Sequence, residues 1–477
     1  MLFRVLSELG PLLLRRGAPG PGRYRDLRVL YSTVMAPPYA NPYPLSDRQV
    51  LCGPRWPDEN RSGRVVSRQT PLGTYDVGGI VERLPRAQRP EVFFAYVDAT
   101  GACLPLNTRS LRCPRVALIA DVHHRESPIA RLLEYLARER FDYHFIVAAR
   151  QHARWFQAAR LPNLYACGAA MLVRPYQGAI RTAAEREPVI AFAGQAGRFH
   201  PRRARLLQAM RAAQLPVKAG EMQQAEALEL FAGARLSFNC SLNGDLNMRV
   251  FEALSAGACL LTDRLCPEAG TDSLFTDGRD LVCFDAAEDL VEKARHYLAR
   301  PDEAAAIAAS GRQAWEARMR PERKVAEIMD LVIGGRAAPA LGLDLQRSAP
   351  PLDDRFGPRL ACYQVLQELN RQMEQVRVGF TPGVFDFETD ARDLLRLRAA
   401  RLGADHAADR RWDVVVTTWQ DIGALEGSGR PIAAERWLVV GNAQEEGPGA
   451  VARMDRRGCR LVSALPGVDL FESAAPG

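Results

Sequence analysis

Lysine is nearly absent from this chain. Of 63 basic residues only Lys218, Lys293 and Lys324 are lysines and the rest are arginines. Paired-cysteine motifs are also missing: the ten cysteines include no Cys-x-x-Cys and no histidine at zinc spacing, which argues against a structural metal or a disulfide framework and for a reduced, cytoplasmic protein. The N-terminal stretch MLFRVLSELGPLLLRR carries Leu2, Val5, Leu6, Leu9 and Leu13 at helical spacing, but Arg4 and Glu8 interrupt it and no signal-cleavage pattern follows. It is too short and too charged to span a bilayer. A packing helix or frayed tail is expected over residues 1–25, with a short helix lying on a membrane surface as the alternative. No repeat of solenoid period occurs. No basic run is dense enough, or interleaved with aromatics, to suggest nucleic acid as a partner.

What is present is an ordinary globular composition, 47% hydrophobic and 25% charged, over 477 residues, enough for two or three domains. The net charge of +7 rests on arginine. Guanidinium groups fork onto oxyanions, although a general arginine-for-lysine bias is the better explanation of the excess.

Apolar, β-branched runs at Asp26–Ser32, Glu91–Asp98, Arg115–Asp121 and Phe145–Ala149 read as buried strands, with a helix over Ile129–Arg140. The Pro- and Tyr-rich segment Ala36–Pro57 reads as a long loop. The pattern restarts with strands at Val189–Ala193, Leu236–Asn239, Ala258–Thr262 and Leu281–Phe284 and with helices near Arg202, over Glu221–Ala232 and over Leu246–Ala256. Such alternation predicts an α/β protein of two Rossmann-like lobes, residues 26–180 and 187–333, facing a cleft. The helical stretch Pro301–Val332 is expected to close the second lobe. A linker over 334–351 leads to a further α/β unit, 352–477, of no evident role.

Two segments of the second lobe carry chemistry. In NMRVFEALSAGACLLT, Gly257 ends a helix whose rotation of about 100° per residue puts Asp245, Arg249, Glu252 and Ala256 on one face and Val250, Phe251 and Leu254 on the other. Alone, that is an ordinary surface helix with an Asp245–Arg249 pair. The loop ahead of it holds Gly194, Gly197, Arg198 and Arg203, a glycine-bearing turn that lets backbone amides approach a phosphate while two guanidiniums neutralise it. The turn does not match the dinucleotide pattern G-x-G-x-x-G. In the first lobe Asp121, His123 and His124 follow a buried strand and should project into the cleft, where a histidine near its ordinary pKa can act as a base. His123 is favoured over His124, and Asp98 is a weaker candidate. His144 and His152 are read as structural, the latter on an amphipathic helix over Arg150–Phe156. Asp386, Glu388, Asp390 and Asp393 alternate with Phe385 and Phe387 and fit a half-buried edge strand as well as a metal site.

The second lobe resembles the donor-binding lobe of GT-B-fold glycosyltransferases of the group 1 type, and is most similar to the spore-maturation-protein-like branch, whose signature falls on Asn247, Arg249, Phe251, Glu252, Ala253, Ser255 and Gly257. The first lobe resembles the partner domain of that branch through ALIADVHHRESPIARLLEY, and the likeness covers residues 26–332. The resemblance implies a nucleotide-sugar donor: Glu252 accepts from the ribose hydroxyls, and Arg198 and Arg203 hold the diphosphate. Many relatives place a second glutamate eight residues before the first; here that position is Gly244, with Asp245 beside it as a substitute. No Asp-x-Asp of the metal-holding kind stands at a strand end, so transfer without a metal and without a cofactor is expected, to a saccharide, lipid or protein acceptor. A nucleotide-sugar epimerase and an inactive nucleotide-sugar-binding scaffold are the competing readings.

Overall fold

The computed structural model describes residues 21–34, 44–123, 125, 127–147, 149–197, 200–343, 349–373, 375–402, 411–427, 432–441, 449–465 and 467–474. The segment 1–20, most of the expected N-terminal helix, lies outside them, as do Arg198 and His124. No helix among the described residues is long and apolar enough to cross a membrane.

The first lobe is built on β1 (Val29–Ser32), β2 (Val50–Gly53), β3 (Glu59–Arg61), β4 (Arg64–Gln69), β5 (Gly73–Asp76), β6 (Val92–Val97), β7 (Cys103–Leu106), β8 (Arg115–Ile119), β9 (Tyr143–Ile146) and β10 (Leu164–Ala166). Eight of them form one sheet in the order β10-β9-β8-β6-β1-β2-β4-β3, parallel except at the β3–β4 edge, while β5 and β7 pair separately. Strand β2 lies inside the segment expected to be a long loop. The central strands are buried on both faces, which is why they read as unbroken apolar runs and not as alternating ones.

The second lobe has β11 (Glu187–Ala193), β12 (Val217–Gly220), β13 (Ala234–Asn239), β14 (Cys259–Asp263) and β15 (Val282–Phe284), all parallel in the order β12-β11-β13-β14-β15. This is a doubly wound arrangement, and the place where its connections change direction lies between β11 and β13, at their carboxyl ends. The two Rossmann-like lobes expected from the alternation are therefore present. The helix Pro321–Val332 does not close the second lobe, however. Its Val325, Ile328, Met329 and Val332 pack into the first-lobe core with Val29, Tyr31 and Phe94, while the preceding Met319 still belongs to the second-lobe core. Tyr24 donates 2.5 Å to Asp330 and anchors the helix there. Its many apolar residues specify burial but not which lobe supplies it.

The third unit carries β16 (Arg377–Phe380), β17 (Arg398–Arg401), β18 (Trp412–Thr418), β19 (Ala434–Val440), β20 (Cys459–Leu465) and β21 (Val468–Ser473), ordered β17-β16-β18-β19-β21-β20 with β21 antiparallel to both its neighbours. It shares a core with the first lobe: Phe356, Leu360, Tyr363 and Leu366 of the helix Phe356–Gln372 join Trp155 and Phe156. Trp155 meets Phe356 and Tyr363 at ring distances of 5.7 and 5.3 Å. The expected amphipathic helix over Arg150–Phe156 is instead a 3-10 turn followed by the helix Ala153–Ala158, buried on nearly every side because the third unit covers what would be its polar face. The acidic run is likewise no edge strand. It folds as helical turns whose carboxylates are paired with arginine: Asp390 with Arg154 at 2.6 Å and Arg359 at 2.5 Å, Asp386 with Arg355, and Glu388 with Arg392 and Arg401.

Arg154 and Asp390 expose 6% and 4% of their side chains, so removing one partner strands an uncompensated charge. Asp390→Ala should cost about 3–5 kcal/mol, measured by denaturant unfolding. The first lobe and third unit should lose structure in one transition because they share a core.

Candidate functional site

Strand β11 ends in Phe192 and Ala193, Gly194 follows directly, and the side chains of Arg203, Asn239 and Arg249 converge there. Gly194 has φ +138, and a β-carbon on it would lie 2.2 Å from Arg249 Nη2, so only glycine fits. Arg249 donates 2.6 Å to Ala193 O through Nε and 2.9 Å to Asn239 Oδ1 through Nη1, and its guanidinium lies 4.6 Å from the centre of the Phe192 ring. Arg203, near the start of the helix Pro201–Ala212, donates 2.7 Å to Gln195 O and 3.0 Å to Cys240 O and sits 5.5 Å from the same ring. Two guanidiniums thus lie against one aromatic ring. Burial, and then the neighbouring Arg203 charge, push the Arg249 pKa down to about 9, so it stays cationic at neutral pH but would gain from a bound anion.

Asn247 caps the helix Met248–Ser255, its side chain accepting 3.1 Å from Arg249 N. Gly257 (φ +66) follows it as the sequence demands. Because the helix begins at Met248, Asp245 lies in the loop before it and the Asp245–Arg249 pair expected on one helix face does not form. Asp245 Oδ1 instead accepts 3.2 Å from Asn243 N. Glu252 lies one turn beyond Arg249, accepts 2.7 Å from Gln224 Nε2, and has its pKa raised by burial against the opposing pull of Gln224 and Arg249. Gly244 adopts φ +68 under Gln151 of the first lobe, whose amide donates 2.9 Å to Asn243 O and 3.0 Å to Gly244 O. Gly197 has open space where a side chain would begin.

Across the cleft, Asp121 follows β8 with φ +30. Its withdrawal from water, reinforced by the charges of Asp98 and of Asp245 from the second lobe, raises its pKa to about 7. The candidates Asp121 and Asp245 are thus brought close enough to act on each other from opposite lobes. His123 lines a cavity of about 1290 Å³ together with Asp121, and Gln195, His200 and residues of the third unit complete its walls. Asp98 accepts 2.9 Å from Thr100 N within its own turn. His144 is held through Nδ1 by Pro162 O at 2.8 Å, and His152 lies 3.2 Å from Gln367 Nε2 with its pKa driven down to about 3 by burial, both consistent with packing roles. Among the described residues no three histidine, cysteine or carboxylate side chains gather as a metal site.

Sequence reasoning missed His200, Gln224 and Gln151. His200 precedes the helix-starting Pro201 and could have been noticed beside Arg203. Burial and the charges of Arg203, Arg371 and Arg249 lower its pKa to about 4, so it is neutral. Gln224 and Gln151 meet their partners only through folding and leave no local signal.

Residues 202–330, the segment holding Arg203, Arg249 and Glu252, match a family model described as glycosyl transferase-like. A search of the curated proteins found no match. Among solved structures, TarM of S. aureus, in complex with fondaparinux, a GlcNAc-glycerol and UDP, is similar at 9% identity and TM-score 0.40, over 50% of this chain and 55% of its own. The chain therefore spans about half the length of TarM. A sucrose-phosphate synthase from Thermosynechococcus elongatus is similar at 11% identity and TM-score 0.45, over 65% and 99% of the two chains. HepE of Anabaena, in complex with UDP and glucose, is similar at 13% identity and TM-score 0.42, over 65% and 100%.

Gly194→Ala is expected to cost about 1–3 kcal/mol from backbone strain alone, and to unseat Arg249. Thermal melting checks the first effect. The second predicts that Arg249→Ala adds little further loss in the Gly194→Ala background, since both changes vacate the same seat.

Proposed function

We propose that this chain is a glycosyltransferase that moves a sugar from a nucleoside-diphosphate sugar to an acceptor hydroxyl without a metal ion. The observation that carries the reading is the pair of desolvated guanidiniums, Arg203 and Arg249, both within the segment that matches a glycosyl transferase-like model, seated against Phe192 and the glycine turn at the carboxyl end of β11, just ahead of that segment. That turn and the capped end of the helix Met248–Ser255 supply fixed positive charge where a diphosphate leaving group develops negative charge. Glu252, an acceptor-only group when ionised, suits ribose hydroxyls, with Gln224 yielding its place. Arg198, Gly197 and Asn247 belong to the same donor site by the likeness to the spore-maturation-protein-like branch.

In the transfer the bond from the anomeric carbon to the β-phosphate oxygen breaks, and the nucleoside diphosphate leaves with the electron pair. The acceptor oxygen bonds to that carbon and surrenders its proton. In this reading Asp121 takes it: it lines the cavity, and a pKa raised to about 7 suits a base near neutrality. His123 stands beside it as the second candidate, His124 follows it in the chain, and Asp245 is suited to meeting a sugar hydroxyl from the other lobe. An acceptor of saccharide, lipid or protein nature fits the first-lobe side.

Incubation with nucleotide-sugar donors tests the reading directly. A glycosylated acceptor is expected, whereas an isomerised donor formed without acceptor would identify an epimerase. Turnover should survive excess EDTA; its loss there would refute metal independence. Asp121 must be deprotonated to act, so kcat/KM should climb with pH up to about 7 and level off above it. Asp121→Asn should abolish that limb and lower kcat by roughly 10²–10⁴-fold, while donor affinity changes little.

A further inference from the structure

The third unit has no part in the reading above, yet it forms a wall of the same cavity. Asp121 and His123 face that space from the first lobe, Gln195 and His200 from the second, and Gln367 and Arg371 from the third. The last two belong to the helix Phe356–Gln372, which ends against the start of the helix Pro201–Ala212, where Arg205 Nη1 donates 3.1 Å to Gln372 O. Arg371 thereby shares the cavity wall with Gln195, His200 and Pro201. His200 and Arg371 line the same cavity, and the charges of Arg203, Arg371 and Arg249, from three helices, all act on the neutral His200 imidazole.

Arg371 is poorly satisfied in this position. Its Nε is sealed from water and has no hydrogen-bond acceptor. Its ion-pair partner is Glu368, one turn earlier on the same helix. The pair is lopsided: Arg371 exposes 16% of its side chain and Glu368 46%, so the carboxylate can swing into water while the guanidinium cannot. A planar fork held out of water, with an acceptor still missing and two more cations nearby, has the chemistry of a phosphate-binding group awaiting an oxyanion.

We propose that Arg371 completes the donor site by binding the diphosphate from the side opposite Arg203 and Arg249, with Glu368 as the carboxylate the phosphate displaces. The inference rests on the glycosyltransferase reading and deepens it: the third unit supplies a donor-binding residue, and neither lobe alone holds the leaving group fully. Arg371 responds to the second phosphate, so it sets the preference for a diphosphate over a monophosphate and not the affinity for the nucleoside.

The test is calorimetric titration of the full chain with UDP, GDP, ADP, CDP and dTDP, followed by the matching monophosphate of whichever binds. Arg371→Gln should shrink the diphosphate-over-monophosphate preference by about tenfold or more, the loss of one charge-assisted hydrogen bond, with monophosphate affinity nearly unchanged. Arg371→Lys should restore part of the preference. An unchanged preference in a folded Arg371→Gln protein overturns the inference and leaves the enzyme reading intact. Failure of the wild type to bind any of the five diphosphates overturns that reading and this inference with it. If Arg371→Gln does not fold, Glu368→Gln asks the same question from the other side. Removing the competing carboxylate should tighten diphosphate binding severalfold, and unchanged or weaker binding overturns the proposal.

Discussion

The helix Ala153–Ala158 lies buried between the first lobe and the third unit, and the placement of both depends on how its arginine is neutralised. Arg154 has left water, so Asp390 must come to it, and Arg359 shares the same carboxylate. Trp155 fills the space beside them against Phe356 and Tyr363. An ion pair of this kind adds little net stability over a well-packed apolar contact, but it is unforgiving of any other docking geometry. The helix Phe356–Gln372 is held to one position by that requirement, and with it the side chains that face the cleft.

The carboxyl end of β11 is governed by a steric constraint. Room for Arg249 exists only because Gly194 lacks a β-carbon, and the Phe192 ring gives two like-charged groups a surface against which to lie. The first lobe meets this side through neutral and acidic groups: Gln151 bonds the carbonyls of the 243–244 loop, and the charge of Asp245 adds to burial in raising the affinity of Asp121 for its proton. The cleft is thus electrically graded, cationic at the carboxyl end of β11 and acidic toward β8. A substrate that carries a diphosphate at one end and a reacting carbon at the other has the polarity to lie along that gradient.

Features set by neighbours in the chain were legible in the sequence. Pro201 opens a helix, Asn247 caps one, Gly257 stops it with a positive φ, and the buried parallel strands are continuous apolar runs. These signals locate both lobes, and the glycine- and arginine-bearing loop together with the resemblance of the Asn247–Gly257 segment draws Gly194, Arg203 and Arg249 into one proposed site. What the sequence could not convey is who covers whom. The run Arg150–Phe156 looks amphipathic until the third unit buries its polar side, and Pro321–Val332 advertises an apolar helix without naming the lobe that receives it. The acidic residues 386–393 resemble an edge strand because their periodicity is visible and their arginine partners, up to 236 positions away, are not. Asp245 was assigned to a helix that begins three residues later, a boundary error with a chemical consequence, since it removes the ion pair with Arg249.

The chain passes between the two lobes twice, and the passages lie side by side. The short turn Ala169–Leu172 gives Ala169 to the second-lobe core and Met171 to the first, and the return runs from Met319 into the helix Pro321–Val332. Gly168 has φ +71, and a β-carbon there would come within 3.0 Å of Met319 Cε. The covalent crossings between the lobes therefore share one seam, and Gln151, bonded to the carbonyls of Asn243 and Gly244, ties the lobes together a second time. The third unit is bound to the first lobe by a shared apolar core but to the second by surface contacts, Arg396 to Asp285 at 2.8 Å and Arg205 to Gln372 O. It must therefore ride with the first lobe, and its grip on the second is the kind that dissolved salt loosens.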